Sequence, residues 1–496
     1  MKEIVSATIK TGGATFISTL FRMVTTKIFA LTIGAYGIGM YSLLTETVRI
    51  GMQIGTFNGR IAIVQGTAKQ NNDQKNDYLA TIFILYIVTT ILIAIVFIFF
   101  QKPLSHILFQ DENIEIKSLV GYLYIPIIIS IFGNFLTSVL NGYKAFGQIA
   151  LVEIACAIMV AIIAYPFSLL IHEGYYAVFI LIITINETSR LGFSLFFAFK
   201  AGWLRSIFNS LNKSINMKHI HHFFAFSGIT AITATVTTLT LLLIKVFISQ
   251  IECVETLGYF EVSWRISMTY VMLILSSFGT YYLPALASTK SIEERDTLIR
   301  NVQRLALILS VPIVVLMIIL KPIIIEILYS DKFMVALQPM RWMLIGDFFR
   351  ITSWCYGHIL LAFEDLKIFL LKELSLQTIF FTIVYCGLKA NIALEITGIA
   401  FLVINIINLI FLTCYIKRSY GYGPSFSFLL KWLAGLGLIT CVSILTWNTH
   451  SVSIFYGVFF IAITILFSFY LIHPHERHFI YAKLRRMSIG RNDGRI

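Results

Sequence analysis

Long apolar stretches, separated by short polar connections, fill the chain from about residue 11 to residue 472. A helix needs about 20 apolar residues to cross the hydrocarbon core of a bilayer. The stretches lack the period of two that barrel strands show, and a backbone in lipid must satisfy its own hydrogen bonds, so each one predicts a helix. The sequence contains about 14 such segments: 11–33, 40–65, 78–100, 116–140, 149–171, 176–198, 222–248, 257–284, 301–325, 338–362, 366–388, 393–416, 427–447 and 452–472.

The composition supports lipid as the surrounding solvent. Apolar residues make up 58% of the 496 positions and charged residues 13%, whereas a soluble domain carries about 25% charged residues. The first segment contains Arg22 and Lys27 and has no small-residue cleavage site, so we expect it to stay in the protein. The six cysteines have neither disulfide nor metal spacing and are interpreted as small core residues. The predicted fold class is an all-α integral membrane protein.

Charges in the connections predict the orientation. After every even-numbered segment the connection is basic, whereas several odd-numbered segments are followed by acidic residues such as Asp111, Glu112 and Glu255. Positively charged connections stay in the cytoplasm, which places both termini there. The formal net charge of +13 is thereby explained by topology, and a nucleic-acid partner is not expected. The basic residues include Lys69, Lys75, Lys144, Lys200, Arg205, Lys213, Lys218, Lys290, Arg295, Arg300, Lys417, Arg418, Lys483, Arg485, Arg486 and Arg491.

A weak internal repeat predicts two similar halves. Landmark pairs are separated by nearly constant distances: 218 residues from Lys27 to Lys245, 219 from Gly39 to Gly258, and 217 from Phe146 to Phe363. The connection between the halves has an apolar stripe that suits a helix lying in the membrane interface. The predicted organisation is an N-terminal lobe at 1–198, a cytoplasmic linker at 199–221, a C-terminal lobe at 222–418, an appended helix pair at 419–472 and a basic cytoplasmic tail at 473–496.

Ionisable residues inside the predicted spans are the candidate site. Four even-numbered spans contain an acid followed three or four residues later by arginine, which places both on one helix face: Glu46/Arg49, Glu187/Arg190, Glu261/Arg265 and Asp347/Arg350. Three further cations, Arg22, Lys27 and Lys245, have no carboxylate at that spacing. All of them fall between the outer third of the membrane and its midplane.

Two interpretations of these charges remain open. In the first, each acid only neutralises its arginine and lowers the cost of insertion, which is about 2.5–3.5 kcal/mol per central charge. In the second, Arg22, Lys27, Arg49, Lys245, Arg265 and Arg350 line a water-filled cavity that receives an anionic headgroup, because guanidinium binds phosphate through two parallel hydrogen bonds. Glu46, Glu187 with Arg190, Glu261 and Asp347 then hold the cations or bind a coupling ion.

Smaller motifs carry less information. Gly51, Gly55 and Gly59 form a small-residue ridge that favours close helix packing, with a hinge as the alternative. The histidine groups near residue 221 and in the tail have no accompanying ligands, and no metal or cofactor is expected. Neither a P-loop nor a protease or hydrolase motif is present, so no catalytic residue is proposed.

Several stretches resemble the O-antigen and enterobacterial common antigen lipid flippases, which belong to the multidrug/oligosaccharidyl-lipid/polysaccharide export superfamily. The similarity lies in "IGAYGIGMYSLL" after Lys27, "FNG" at 57–59, "FGTYYLPALAS" at 278–288 and the segment 330–373 around Gly346-Asp347. It implies a V-shaped transporter of two six-helix lobes that works by alternating access. The implied substrate is an undecaprenyl-diphosphate-linked oligosaccharide, moved from the cytoplasmic to the periplasmic leaflet of the bacterial inner membrane.

The resemblance also implies partners, and alternatives remain. The candidate partners are membrane lipids, H+ or Na+ as coupling ion, and a polysaccharide polymerase with its chain-length machinery. A multidrug antiporter of the same superfamily is the first alternative, although organic cations favour unpaired acids over a surplus of arginine and lysine. An integral-membrane enzyme is the second, and it predicts a large external loop or a catalytic His/Asp arrangement.

Overall fold

The computed structural model describes residues 2–69, 72–109, 114–211, 216–289, 291–447 and 454–472, and these form helices joined by short turns. Two short 3-10 helices lie at Val120–Tyr122 and Asp331–Ala336. The α-helices are α1 (Lys2–Thr32), α2 (Gly34–Thr56), α3 (Arg60–Lys69), α4 (Asn72–Phe99), α5 (Gln101–Leu108), α6 (Ile114–Leu119), α7 (Tyr124–Gly142), α8 (Phe146–His172), α9 (Val178–Lys200), α10 (Trp203–Ser210), α11 (Met217–Ile251), α12 (Val254–Ser288), α13 (Ile292–Leu328), α14 (Leu337–Ala362), α15 (Leu366–Lys389), α16 (Glu395–Tyr420), α17 (Phe426–Leu445) and α18 (Ile454–Leu471).

The described helices confirm the all-α membrane fold class. Fourteen of them contain at least 18 residues, and each overlaps one predicted span. Ten are long and apolar enough to cross a membrane. The protein is therefore a multi-pass membrane protein. The predicted basic tail at 473–496 lies outside the described residues, as does Lys213 of the linker.

The chain divides into two compact units. Unit 1 comprises Met1–Val262, Ile325–Val335 and Leu370–Leu394, and unit 2 comprises Ser263–Ile324, Ala336–Phe369 and Glu395–Ile496. A unit defined by contacts differs from a lobe that moves, so the predicted lobe boundaries at 198, 222 and 418 stay a prediction.

In unit 1, α2 packs closely against α7 through two glycines. A Cβ atom at Gly51 would lie 2.7 Å from the Ile127 side chain, and one at Gly55 would lie 2.4 Å from Ile131. Both isoleucines are fully buried. The geometry supports the packing interpretation of the small-residue ridge.

The second predicted span is not one continuous helix, which corrects the placement of Gly59 on the ridge. α2 ends at Thr56, and α3 begins at Arg60. Between them Phe57 and Asn58 adopt positive φ angles of 49° and 46°, and Asn is among the few residues that tolerate this region. The Asn58 amide also donates to the carbonyl of Thr230, a contact distant in sequence that stabilises the break.

A close crossing of α2 and α12, also in unit 1, matches the repeat. A Cβ at Gly39 would lie 2.2 Å from the Val254 carbonyl oxygen, and one at Gly258 would lie 2.0 Å from that of Ala35. The two contacts are reciprocal: Val254 follows Ala35 by the same 219 residues that separate Gly258 from Gly39. Such an exchange is what two related helices crossing about a local two-fold axis produce.

Gly258→Ala is expected to destabilise the protein by about 1–3 kcal/mol, as overpacking does in well-filled cores. The added methyl group clashes with backbone atoms, which outweighs the better helix propensity of alanine, about 1 kcal/mol. Thermal unfolding in detergent measures the effect. Gly228→Ala on α11 is the matched control, because no atom lies within 4 Å of its added Cβ. Equal midpoints for the two variants would contradict the close crossing.

The amphipathic linker forms a short helix, α10, that docks on unit 1. The Trp203 ring stacks on Tyr143 with centroids 4.0 Å apart and planes at 5°, and the Lys75 ammonium lies 4.4 Å from the Tyr143 centroid. Ile207 is buried, whereas Phe208 remains half exposed. The apolar stripe is therefore partly covered by the protein itself.

Unit 2 contains the same arrangement and corrects one landmark of the repeat. Phe363 stacks on Tyr420 with centroids 4.6 Å apart, and the Arg295 guanidinium lies 4.8 Å from the Phe363 centroid. Phe363 ends α14 as Tyr143 ends α7. Its counterpart is therefore Tyr143, 220 residues earlier, and not Phe146, because the residue that caps the helix is the structural equivalent.

Candidate functional site

A buried ion cluster joins α2, α11 and α12 in unit 1. The Lys245 ammonium lies 2.9 Å from Oε2 of Glu46 and 3.0 Å from Oε2 of Glu261. The Ser42 hydroxyl donates to the same Glu261 oxygen at 3.0 Å. The residues Glu46, Lys245 and Glu261 are only 3%, 2% and 7% exposed. The cluster is completed by Arg49, whose guanidinium lies 3.5 Å from Oε1 of Glu46 and whose side chain is 52% exposed.

The cluster corrects the prediction that Lys245 lines a water-filled cavity. Its ammonium is buried between two carboxylates from other helices, an arrangement that offsets the cost of desolvating all three charges. With Arg49 included, two cations face two anions. Only Arg49 presents its charge to the surroundings, so of these four ionisable side chains it is the one that can meet a ligand in this state.

A second group of charges lies on α1, α8 and α9 of unit 1. Arg22 pairs with Glu153 at 2.9 Å, and both side chains are substantially exposed. Arg190 pairs with Glu187 at 3.0 Å and also interacts electrostatically with Glu153. Glu153 was missed by the sequence analysis, because no arginine lies three or four residues from it. It is the acid that balances Arg22.

Lys27 has a different role from the predicted one. Its ammonium donates to the carbonyl oxygens of Glu326 and Tyr329, both at 2.7 Å. These carbonyls belong to the C-terminal end of α13, where the last carbonyl groups have no partners within the helix. A cation is favourable at that end of a helix. Lys27 therefore caps a helix in this structure, and the prediction that it contacts substrate is not supported by its contacts here.

Unit 2 contains the last acid–arginine pair. The Arg350 guanidinium lies 3.1 Å from Oδ1 of Asp347, which is fully buried. The Ser267 hydroxyl donates to the other carboxylate oxygen at 2.7 Å. Arg350 also donates to the Met268 sulfur at 2.8 Å and lies 5.4 Å from the ring centroid of Phe401.

The pair is therefore fixed from several sides while 19% of the Arg350 side chain stays accessible. Arg265 lies two residues before Ser267 on α12 and is half-buried. Three of the four predicted local pairs, Glu46/Arg49, Glu187/Arg190 and Asp347/Arg350, are formed at 3.0 to 3.5 Å. Their part in substrate binding stays a prediction.

The arrangement can bind an anion without burying an uncompensated charge beforehand. Each arginine is oriented by a carboxylate, and Arg22 and Arg49 present most of their guanidinium groups outward. A phosphate group accepts bidentate hydrogen bonds from such groups. Among the described residues, no three His, Cys, Asp or Glu side chains form a metal-ligand group.

Comparison with known proteins identifies the family. Residues 61–338 match the family described as polysaccharide biosynthesis protein, and the match covers more than half of the chain. The chain belongs to this family. The matched segment includes Lys245, Glu261 and Arg265, whereas Glu46 and Arg350 lie outside it.

Individual relatives of this family member agree with the assignment. It is 22% identical to the lipid III flippase of Escherichia coli (strain K12), with 79% of this chain and 93% of that one covered. The solved structure of the lipid II flippase MurJ in an inward closed conformation matches with a TM-score of 0.73 at 16% identity, over 95% of this chain and all of that one. An inward-facing multidrug MATE transporter of the MOP superfamily matches at 0.61 and 12% identity, covering 86% and 95%. The fold is thus that of MurJ and MATE transporters.

Proposed function

We propose that the protein is a flippase for an undecaprenyl-diphosphate-linked oligosaccharide, such as a repeat unit of O antigen or a similar surface polysaccharide. It moves this lipid from the cytoplasmic to the periplasmic leaflet of the bacterial inner membrane, with both of its own termini in the cytoplasm. It is a transporter and not an enzyme. The observation that carries the proposal is the set of membrane-embedded arginines that buried carboxylates hold in place.

The chemistry of the substrate fits these arginines. A diphosphate carries its negative charge on oxygens that planar guanidinium groups bind through paired hydrogen bonds. Arg22 and Arg49 are exposed enough to make such contacts. The apolar tail has no comparable requirement, because it stays in lipid. The relative named lipid III flippase supports a lipid-linked substrate.

Transport of this kind requires the protein to alternate between two states, and the buried cluster offers a means of coupling. Protonation of Glu46 or Glu261, or binding of Na+ between them, weakens their attraction for Lys245. Because the three residues lie on three helices, a change of charge there changes how those helices pack. H+ or Na+ is the proposed coupling ion, and a polysaccharide polymerase is the proposed protein that uses the product.

Flipping in proteoliposomes tests the function directly. A fluorescent undecaprenyl-diphosphate oligosaccharide is reconstituted with the protein, and an impermeant quencher reports the fraction in the outer leaflet. The protected fraction is expected to disappear in a protein-dependent manner, and about tenfold more slowly with Arg265→Gln, since one charged hydrogen-bonding group is worth roughly 1.5–3 kcal/mol. Unchanged flipping after replacement of Arg49, Arg265 and Arg350 together would exclude a role for these cations.

A multidrug antiporter is the second candidate, and the likeness to a MATE transporter favours it. It predicts protein-dependent uptake of a labelled organic cation against a pH or sodium gradient and no movement of the lipid-linked oligosaccharide. The same vesicles serve both assays. Movement of the cation alone would replace the flippase proposal.

A further inference from the structure

A separate group of cations lies in unit 2, away from the acid–arginine pair. Lys321 on α13 is only 2% exposed. Its ammonium donates to the carbonyl oxygen of Thr446 at 3.2 Å and to the hydroxyl of the same residue at 3.3 Å. Both are neutral acceptors at the C-terminal end of α17. No carboxylate contacts Lys321 within the described ranges of the chain.

The charged neighbour of Lys321 is another cation. Arg341 on α14 interacts unfavourably with it, and the guanidinium lies 4.3 Å from the ring centroid of Trp447. The hydrogen bond from Arg341 Nε to the Leu337 carbonyl is long, at 3.4 Å. Glu395 attracts Arg341, but one oxygen of its carboxylate accepts the Trp342 indole N–H at 2.6 Å.

Two cations beside one partly engaged carboxylate leave an excess of positive charge at this place. A buried ammonium is costly unless an anion compensates it, and a second cation increases the cost. Lys321 has three N–H donors and uses two. Arg341 has five and makes one long hydrogen bond. Charge and unused donors both favour an anion with several acceptor oxygens.

The surroundings indicate the source of that anion. Trp342 and Trp447 pack edge to face with centroids 5.1 Å apart, and tryptophan is enriched at the depth of lipid headgroups. The predicted orientation places this end of α13, α14 and α17 at the outer surface of the membrane. Basic sites between membrane helices at headgroup depth bind anionic lipids.

We propose that Lys321 and Arg341, with the Trp447 indole beneath the guanidinium, bind the phosphate of an anionic phospholipid. Lys321 supplies a point charge and Arg341 a planar pair of N–H donors. The bound phosphate links α13 and α14 to the end of α17, and so fastens the appended helix pair to unit 2. This site is distinct from the arginines proposed to meet the transported lipid.

Lipid-dependent thermal stability tests the site. Purified protein is placed in nanodiscs of phosphatidylcholine with or without phosphatidylglycerol, and its unfolding midpoint is recorded. Phosphatidylglycerol is expected to raise the midpoint of the wild type by several degrees. Lys321→Met and Arg341→Gln are each expected to remove most of that increase. Lys389→Met and Arg300→Gln, which change exposed cations, are expected to keep it.

Two further arms keep the result decisive. Arg341 is half-buried, so Arg341→Gln is expected to fold even where Lys321→Met does not, and Lys321→Arg retains the charge and is expected to retain part of the increase. Inorganic phosphate is added to phosphatidylcholine nanodiscs in parallel. An equal increase with phosphate alone would overturn the phospholipid assignment, and an undiminished increase in both Lys321→Met and Arg341→Gln would overturn the site.

Discussion

Lys245→Met is expected to abolish flipping and to lower the free energy of unfolding by about 3–5 kcal/mol, the usual cost of removing one partner from a buried ion pair. Methionine fills a similar volume but leaves Glu46 and Glu261 buried without their shared cation. Ser42 still donates to Glu261, and Arg49 still reaches Glu46, but the latter only at 3.5 Å. Flipping in proteoliposomes and thermal unfolding in detergent measure the two effects.

A neutral triple variant separates stability from transport. Glu46→Gln, Lys245→Met and Glu261→Gln together remove all three buried charges, so most of the lost stability is expected to return, because no charge is left without a partner. Flipping is expected to stay absent if these charges couple transport to an ion. Wild-type flipping by the triple variant would instead show that the cluster is structural. Lys389→Met, at an exposed position of α15, is the control for loss of a lysine.

The helices could be predicted from sequence because the hydrocarbon thickness sets a minimum apolar length, and fourteen segments meet it. The breaks could not. The turn at Phe57–Asn58 lies inside an apolar span, and its positive φ angles are stabilised by a hydrogen bond from Asn58 to Thr230, 172 residues away. The motif "FNG" contains the only local signal, since Asn and Gly both tolerate left-handed backbone conformations.

The candidate site divides in the same way between local and distant information. Pairs such as Glu187/Arg190 follow from helix geometry, which puts residues three apart on one face. The partners of Lys245 and Arg22 come from other helices and have no sequence signal. The prediction of unpaired cations was therefore wrong for both: Lys245 is held by two acids and Arg22 by Glu153.

This pairing changes what the cations are expected to do. A cavity lined with free cations would attract any anion, whereas an arginine held by a carboxylate binds an anion that competes for, or adds to, its existing hydrogen bonds. Selectivity then depends on the geometry of the guanidinium group. That favours a multidentate acceptor such as a diphosphate over a single carboxylate or chloride.

Arg350→Lys is expected to slow flipping by about tenfold or more, equivalent to roughly 1.4 kcal/mol, while the unfolding midpoint changes little. Lysine keeps the charge beside Asp347, so the buried carboxylate remains compensated. It loses the planar fork that donates in several directions at once. In the structure one guanidinium nitrogen faces Asp347 at 3.1 Å and another faces the Met268 sulfur at 2.8 Å, an arrangement that a single ammonium does not reproduce.

The matched control is Arg300→Lys, in the exposed Arg300–Asp296 pair of the same unit, which is expected to leave flipping unchanged. The double variant Asp347→Asn/Arg350→Gln then decides between the two interpretations of the pair. If Asp347 merely neutralises Arg350 for insertion, the neutral pair folds and flips at the wild-type rate. If Arg350 binds the diphosphate, the double variant folds but flips at least as slowly as Arg350→Lys, because neutralising both charges restores the packing and not the contact with phosphate.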